Sequence, residues 1–246
     1  MPLVLCPVGD SISWHCLDPQ PWDPATGVGG YCAELGSILT QGGIDYVFST
    51  AGSGSTPGSA VAGVATAYWA THIHDVLVAN NPDVVILHIG TNDNQTGGTG
   101  PFETSWKSIV DQIHAYRPAS PVKVVGVFVQ YSNPEVSTAL NRTWLTTSQP
   151  ATNDAIWRNR AKVDMLVDLQ CIPADDLGLY TIGYPDGIHP TALGCRRMAQ
   201  LIYRGIRATM GWPDIVPQPC GMSGHRHTEL ATYLPLVSIT PCSDTL

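Results

Sequence analysis

Three short stretches carry side chains able to do chemistry together: Gly9-Asp10-Ser11, Gly90-Thr91-Asn92-Asp93 and Asp186-Gly187-Ile188-His189-Pro190. A serine hydroxyl is a poor nucleophile until an imidazole takes its proton. A carboxylate then holds that imidazole in the right tautomer and supports its positive form. Ser11, His189 and Asp186 are the residue types this division of labour needs. Pro190 forbids a mid-helix reading of the Asp186–His189 spacing, so a turn is expected to bring Asp186 to one ring nitrogen while the other faces Ser11. Negative charge developing on a carbonyl oxygen needs fixed donors. The Ser11 N–H, the Asn92 amide and a glycine N–H would supply three, each typically worth about 10²–10³ in rate. Taken singly, the residues have plainer readings: Ser11 as a helix cap, His189 as a satisfied histidine at a helix start, Asp186 as a turn acid. Taken jointly they favour nucleophilic acyl transfer.

Residues so distant in sequence converge only if the elements between them lead to one place. Leu3 to Val8 is a short apolar run ending at Gly9 and reads as a buried strand. Tyr31 to Gln41 sets Leu35, Ile38 and Leu39 at helical spacing and stops at Gly42-Gly43. Asp45 to Ser49 reads as a second strand, and Thr66 to Ala79 puts Trp69, Ile73, Val76 and Leu77 on one helical stripe. Val84 to Ile89 is continuous and β-branched, as expected of a strand covered on both faces. Phe102 to Tyr116 is helical by its apolar spacing and is ended by Pro118 and Pro121. Val122 to Val129 is another buried strand, a helix around Asn153 to Val163 follows, and Met165 to Asp168 is a short strand. Ala192 to Met210 is the last helix, with Met198, Ile202 and Ile206 stacked and Gly211 as its stop. Five such alternations predict an α/β fold: a parallel sheet with helices on both faces. Its ligand site lies beyond the carboxyl ends of the strands. The three polar stretches follow the first strand, follow the third, and precede the last helix.

Composition narrows the class of partner. The chain has 246 residues, a length that single α/β domains often reach, with hydrophobic residues at 43 % and charged residues at only 13 %, against a usual charged share of about 25 %. No apolar run approaches the roughly 18 residues of a membrane span. Met1 to Trp106 holds no Lys or Arg but nine acids, and the formal net charge is −8. This speaks against nucleic acid, anionic membrane surfaces and polyphosphate ligands. Arg196, Arg197, Arg204 and Arg207 on the last helix read as a solvated face. The seven cysteines contain no CxxC pair, so zinc-ribbon spacing is absent. Cys6 is expected to be a buried, inert thiol, and Cys220 with Cys242 is the favoured disulfide because both fall in an irregular tail. Cysteine usage and two sequons, at Asn94 and Asn141, lead to the expectation of a secreted, extracellular protein whose signal peptide is not in this chain. A cytoplasmic location stays open. Residues 1–211 are expected to form the domain and 212–246 an irregular C-terminal extension packed on it.

On these three blocks the chain resembles the SGNH hydrolases, the GDSL esterase/lipase superfamily. Gly9-Asp10-Ser11-Ile12 is similar to its first block, Gly90-Thr91-Asn92-Asp93 to its third and Asp186 to Pro190 to its fifth. The resemblance implies a three-layer flavodoxin-like fold, no cofactor and no metal, Ser11 as nucleophile, His189 as base, Asp186 as its orienting partner, and Asn92 as an oxyanion donor beside the Ser11 N–H. The second block departs from the family, because Ser49 to Val64 contains no Asn. In the family the oxyanion glycine opens the helix leading into the Asn-Pro-Asp segment before the third strand. Gly63 has that relation to Asn81-Pro82-Asp83 and is chosen; Gly52, directly after the second strand, is its rival.

The Val8 to Ser11 start, the Asp45 to Phe48 strand and the Asn81 to Val85 run are similar to carbohydrate acetylesterases of the superfamily. The substrate class so implied is a small-molecule or polysaccharide ester, O-acetylated xylan or pectin for example, handled without nucleic acid or membrane insertion. A lipase or lysophospholipase on longer acyl chains and a catalytically silent carbohydrate-binding domain are the competing readings. Trp14, His15 and Trp22 after the nucleophile offer aromatic faces that could stack on a sugar, though burial explains any single Trp as well. His72, His74 and His88 read as structural. Cys220, His225, His227 and Glu229 read as a plain loop rather than a metal site.

Overall fold

Alternation within each apolar run explains how one strand serves two cores. In the strands, Leu5, Val84, Ile86, Val125 and Val127 face one layer, while Cys6, Val8, Val85, Leu87 and Val124 face the other. A strand with apolar residues at every position must be covered on both sides. In this computed structural model, which describes residues 1–14, 30–49, 60–61, 63–93, 100–130, 144–172, 189–190 and 192–212, the elements run in chain order as follows. β1 (Leu3–Gly9) leads to a four-residue helix α1 (Ser11–Trp14), then α2 (Gly30–Gln41), β2 (Tyr46–Phe48), α3 (Thr66–Asn80) and β3 (Val84–His88). After these come α4 (Gly100–Tyr116), β4 (Lys123–Val127), a π-helical turn (Trp144–Ser148) running into α5 (Gln149–Arg158), a 3-10 turn (Arg160–Lys162), β5 (Met165–Val167) and α6 (Ala192–Met210).

All five strands are parallel, in the order β2-β1-β3-β4-β5. Chain direction across the sheet therefore reverses between β1 and β3, and the crevice at such a switch point is where doubly wound sheets receive ligands. Helices α2 and α6 cover one face, with Tyr31, Leu35, Leu39, Met198, Ile202 and Ile206 in the core. Helices α3 and α4 cover the other, with Trp69, Ile73, Leu77, Trp106, Ile109 and Ile113. The fold is the three-layer α/β arrangement expected. At the edge remote from the switch-point crevice, the Asp83 and Asp164 carboxylates accept the Val4 and Val124 N–H groups, each at 2.9 Å, so the acids there fasten strand starts.

Two details differ from expectation. The helix placed over Asn153 to Val163 begins at Gln149 and ends at Arg158. Its buried face is mostly polar (Gln149, Thr152 and Asn153 beside Ala155 and Ile156), so hydrophobic spacing is silent over its first turns, and Pro150 near the start is the local signal. The arginine face of α6 is only partly solvated. Arg196 is exposed and pairs with Glu34 at 3.1 Å, whereas Arg207 is 9 % exposed with its guanidinium 5.7 Å from the Tyr203 ring centre. Chain contacts divide the protein into Met1–Pro213 and Asp214–Leu246. The expected extension beyond Trp212, the Cys220–Cys242 pairing, the Cys220 to Glu229 loop, His15, Trp22 and both sequons lie outside the described residues. Among the described residues, no helix is long and apolar enough to cross a membrane.

Candidate active site

Gly9 decides how β1 ends. It stands in register with His88, and its carbonyl accepts the Trp69 indole N–H at 2.9 Å and the Val61 N–H at 3.1 Å. A Cβ here would overlap the Ser13 hydroxyl and the His88 carbonyl, so only glycine lets the chain fold back this closely. Asp10 then accepts the Ile12 N–H at 3.0 Å on Oδ1, and its carbonyl takes the Ser13 N–H at 3.1 Å. This tight turn sets Ser11, half-buried, at the start of α1.

Ser11 Oγ lies 2.9 Å from His189 Nε2, across 178 positions of sequence. His189 is half-buried and followed by the buried Pro190, just ahead of α6. With the ring proton on Nδ1, Nε2 is free to accept the serine hydroxyl hydrogen. Asp186 lies outside the described residues, as does Gly52.

The loop after β3 faces the same crevice. Gly90 has φ +136°, and the turn Thr91-Asn92-Asp93 is closed by the Asp93 N–H on the Gly90 carbonyl at 3.2 Å. Asn92 donates from Nδ2 to the Val64 carbonyl at 3.0 Å, which fixes the plane of its amide. Gly63 precedes Val64 with φ +75° and is exposed, with open space where a Cβ would stand. Its neighbour segment runs beside Gly9, since Ala60 bridges to Gly9. The glycine requirement at position 63 is therefore one of backbone conformation.

Behind this edge lies a layer of buried polar groups that hydrophobic patterning does not reveal. His88 Nε2 donates to Gln130 Oε1 at 3.1 Å, and Gln149 donates to the Gln130 carbonyl. Asn153 pairs with both the N–H and the carbonyl of Val129, at 2.9 Å each, as a neighbouring strand would. The Tyr31 hydroxyl donates to Ser13 Oγ at 3.3 Å. Burial pushes the His88 imidazole down to about 4, against the opposing pull of Gln130. Burial likewise pushes the Asp10 carboxyl up to about 6, with Ile12, Thr91 and the positive charge of His189 drawing it partly back. Asp93 is raised by burial too, opposed by its two hydrogen bonds from Thr66. The roles of Asp10 and Asp93 escaped the sequence reading. For Asp93 the available signal was an α3 start lacking any capping side chain, at Ala65.

The GDSL-like lipase/acylhydrolase family matches residues 8–197. No curated protein matches the chain. Among solved structures it is similar to a family 3 carbohydrate esterase from Clostridium thermocellum, at 26 % identity and TM-score 0.60, covering 86 % of this chain and 98 % of that one. A family 3 carbohydrate esterase from Talaromyces cellulolyticus (19 % identity, TM-score 0.61, 86 % and 100 % covered) shares the fold. So does a variant of an acetyl xylan esterase from Geobacillus stearothermophilus (15 % identity, TM-score 0.57, 87 % and 96 % covered). With a family match that spans the Ser11 turn, the Asn92 loop and His189, on a sheet of order 2-1-3-4-5, the chain belongs to the GDSL-like lipase/acylhydrolase family, within the SGNH hydrolases.

Proposed function

We propose that the protein is a serine esterase that hydrolyses short-chain carboxylic esters through an acyl-enzyme, with O-acetylated carbohydrate as its substrate class. The observation that carries this reading is the 2.9 Å approach of Ser11 Oγ to His189 Nε2 at the switch-point edge. Ser11 Oγ attacks the ester carbonyl carbon while its proton passes to Nε2. The tetrahedral oxyanion is held by the Ser11 N–H, the Asn92 amide and the Gly63 N–H. Collapse breaks the bond to the alcohol oxygen, which leaves with the proton from His189. Water, deprotonated by the same nitrogen, then releases the acid and restores Ser11. Asp186 holds the imidazole through its other nitrogen. The carbohydrate-ester substrate class is supported by the carbohydrate-esterase neighbour at 26 % identity, and the absence of Lys and Arg from Met1 to Trp106 disfavours phosphate-bearing acyl donors.

Ser11→Ala should abolish turnover of p-nitrophenyl acetate with the circular dichroism spectrum unchanged. Retained turnover removes the mechanism. A series of p-nitrophenyl esters of rising chain length should favour acetate, and acetate release from acetylated xylan and pectin identifies the carbohydrate. A preference for long acyl chains would replace the acetylesterase reading by a lipase.

A further inference from the structure

Asp10 has no part in the steps above, yet its surroundings are unusual. The side chain is wholly shut off from solvent while the next residue, Ser11, is half-exposed at the crevice. Oδ1 caps the Ile12 N–H at 3.0 Å, and Oδ2 is buried without a hydrogen bond of ordinary geometry. A cap needs one oxygen, which asparagine would provide without the cost of burying a charge. Among the described residues the groups acting on the carboxyl are few. Ile12 approaches from α1, Thr91 from the loop after β3 with its N–H and hydroxyl, and His189 from the segment before α6. His88, in register with Gly9 on β3, is neutral at working pH and adds no competing charge. The one positive charge acting on Asp10 among these residues is therefore the charge His189 gains when it takes the Ser11 proton.

We propose that Asp10 is a positioning residue for the base: a second carboxylate, which when ionised stabilises the imidazolium of His189 and speeds proton withdrawal from Ser11. The inference rests on Ser11 and His189 acting as nucleophile and base, and adds to them an ionisation. The Asp10 carboxyl changes state near pH 6, so its help is withdrawn in acid. Thr91 tunes that point, since its N–H and hydroxyl favour the charged form.

The test is the pH dependence of kcat/KM on p-nitrophenyl acetate for the full chain and for Asp10→Asn, a permanent mimic of the protonated carboxyl that keeps the cap to Ile12. The wild-type to variant ratio should be about tenfold or more near pH 8, the size of a close charge's effect on a neighbouring ionisation, and fall towards one near pH 5. A merely structural role gives one ratio at every pH, and that result overturns the proposal. An NMR titration of the His189 ring in the wild-type protein reads the same coupling without a variant and without turnover. A second inflection as Asp10 ionises is expected, and its absence overturns the proposal even where Asp10→Asn does not fold. Wild-type protein without esterase turnover would refute the functional reading, while the ring titration would still decide whether Asp10 and His189 are coupled.

Discussion

At Gly90 the backbone takes φ +136°, and an added Cβ would stand 2.8 Å from Thr152 Cγ2 and 3.0 Å from Val129 Cγ2. Both the backbone conformation and the space exclude a side chain. Gly90→Ala should cost about 2–4 kcal/mol, combining left-handed strain with overpacking. Because the same loop orients Asn92, ester turnover should fall with it. Urea unfolding and turnover measured together check this, and an unchanged unfolding midpoint would show that the loop relaxes freely. Gly63 differs: its φ is positive but nothing crowds it. Residue types carry much of this in advance, because glycine, serine, asparagine and histidine at strand ends have few structural uses that occur together. What residue types do not carry is burial. Asp10 and Asp93 look like ordinary loop acids in sequence, yet they are 0 % and 5 % exposed.

Helix α3 begins without a cap of its own. Ala65 precedes it and makes no side-chain hydrogen bond to the first turn. Asp93 supplies the missing acceptor from 27 positions away, taking the Thr66 N–H at 2.9 Å and its hydroxyl at 2.8 Å on Oδ2. One carboxylate thus ties the start of α3 to the loop that carries Asn92. Asp93→Ala should destabilise the fold by about 2–3 kcal/mol, because a buried helix N–H and a hydroxyl lose their acceptor. Amide exchange should quicken in the first turn of α3, and kcat should fall more than KM changes. Exchange unchanged at Thr66 would contradict the tie. Elements with an apolar stripe were legible in the sequence, α6 over its whole length. Helix α5 was misplaced by four residues at its start, because the face it buries there is made of Gln149, Thr152 and Asn153, whose amides and hydroxyl carry no hydrophobic period.

For the molecule as a whole, two buried groups pull stability in opposite directions with pH. Asp10 ionises near 6 in the fold against an ordinary 3.8, so the folded state holds the extra proton between these values and stability falls as pH rises through that window. His88 ionises near 4 against 6.5. There the unfolded state holds the extra proton, so this contribution is complete above about 6.5 and is lost as pH falls towards 4. The two slopes oppose each other from about 4 to 6, where wild-type stability should vary little on their account. His88→Gln removes one of them. In that variant, urea unfolding should show stability dropping by about 1–2 kcal/mol as pH is raised from about 4 to 6. A flat profile in the variant would show that Asp10 does not titrate there.

The order of strands and helices, the apolar faces that demand two covering layers and the residue types at the strand ends are local properties, written in side-chain periods of two and of three to four. They sufficed to determine the class of fold and the family resemblance. Distance is not local. Whether a hydroxyl at position 11 meets an imidazole ring at position 189 depends on β1 lying between β2 and β3 and on α6 packing back against α2, which is set by the sum of many burials across the sheet. The same holds for charge: a carboxylate becomes reluctant to ionise only when tertiary packing removes the water around it, and no spacing of letters records where that water has gone.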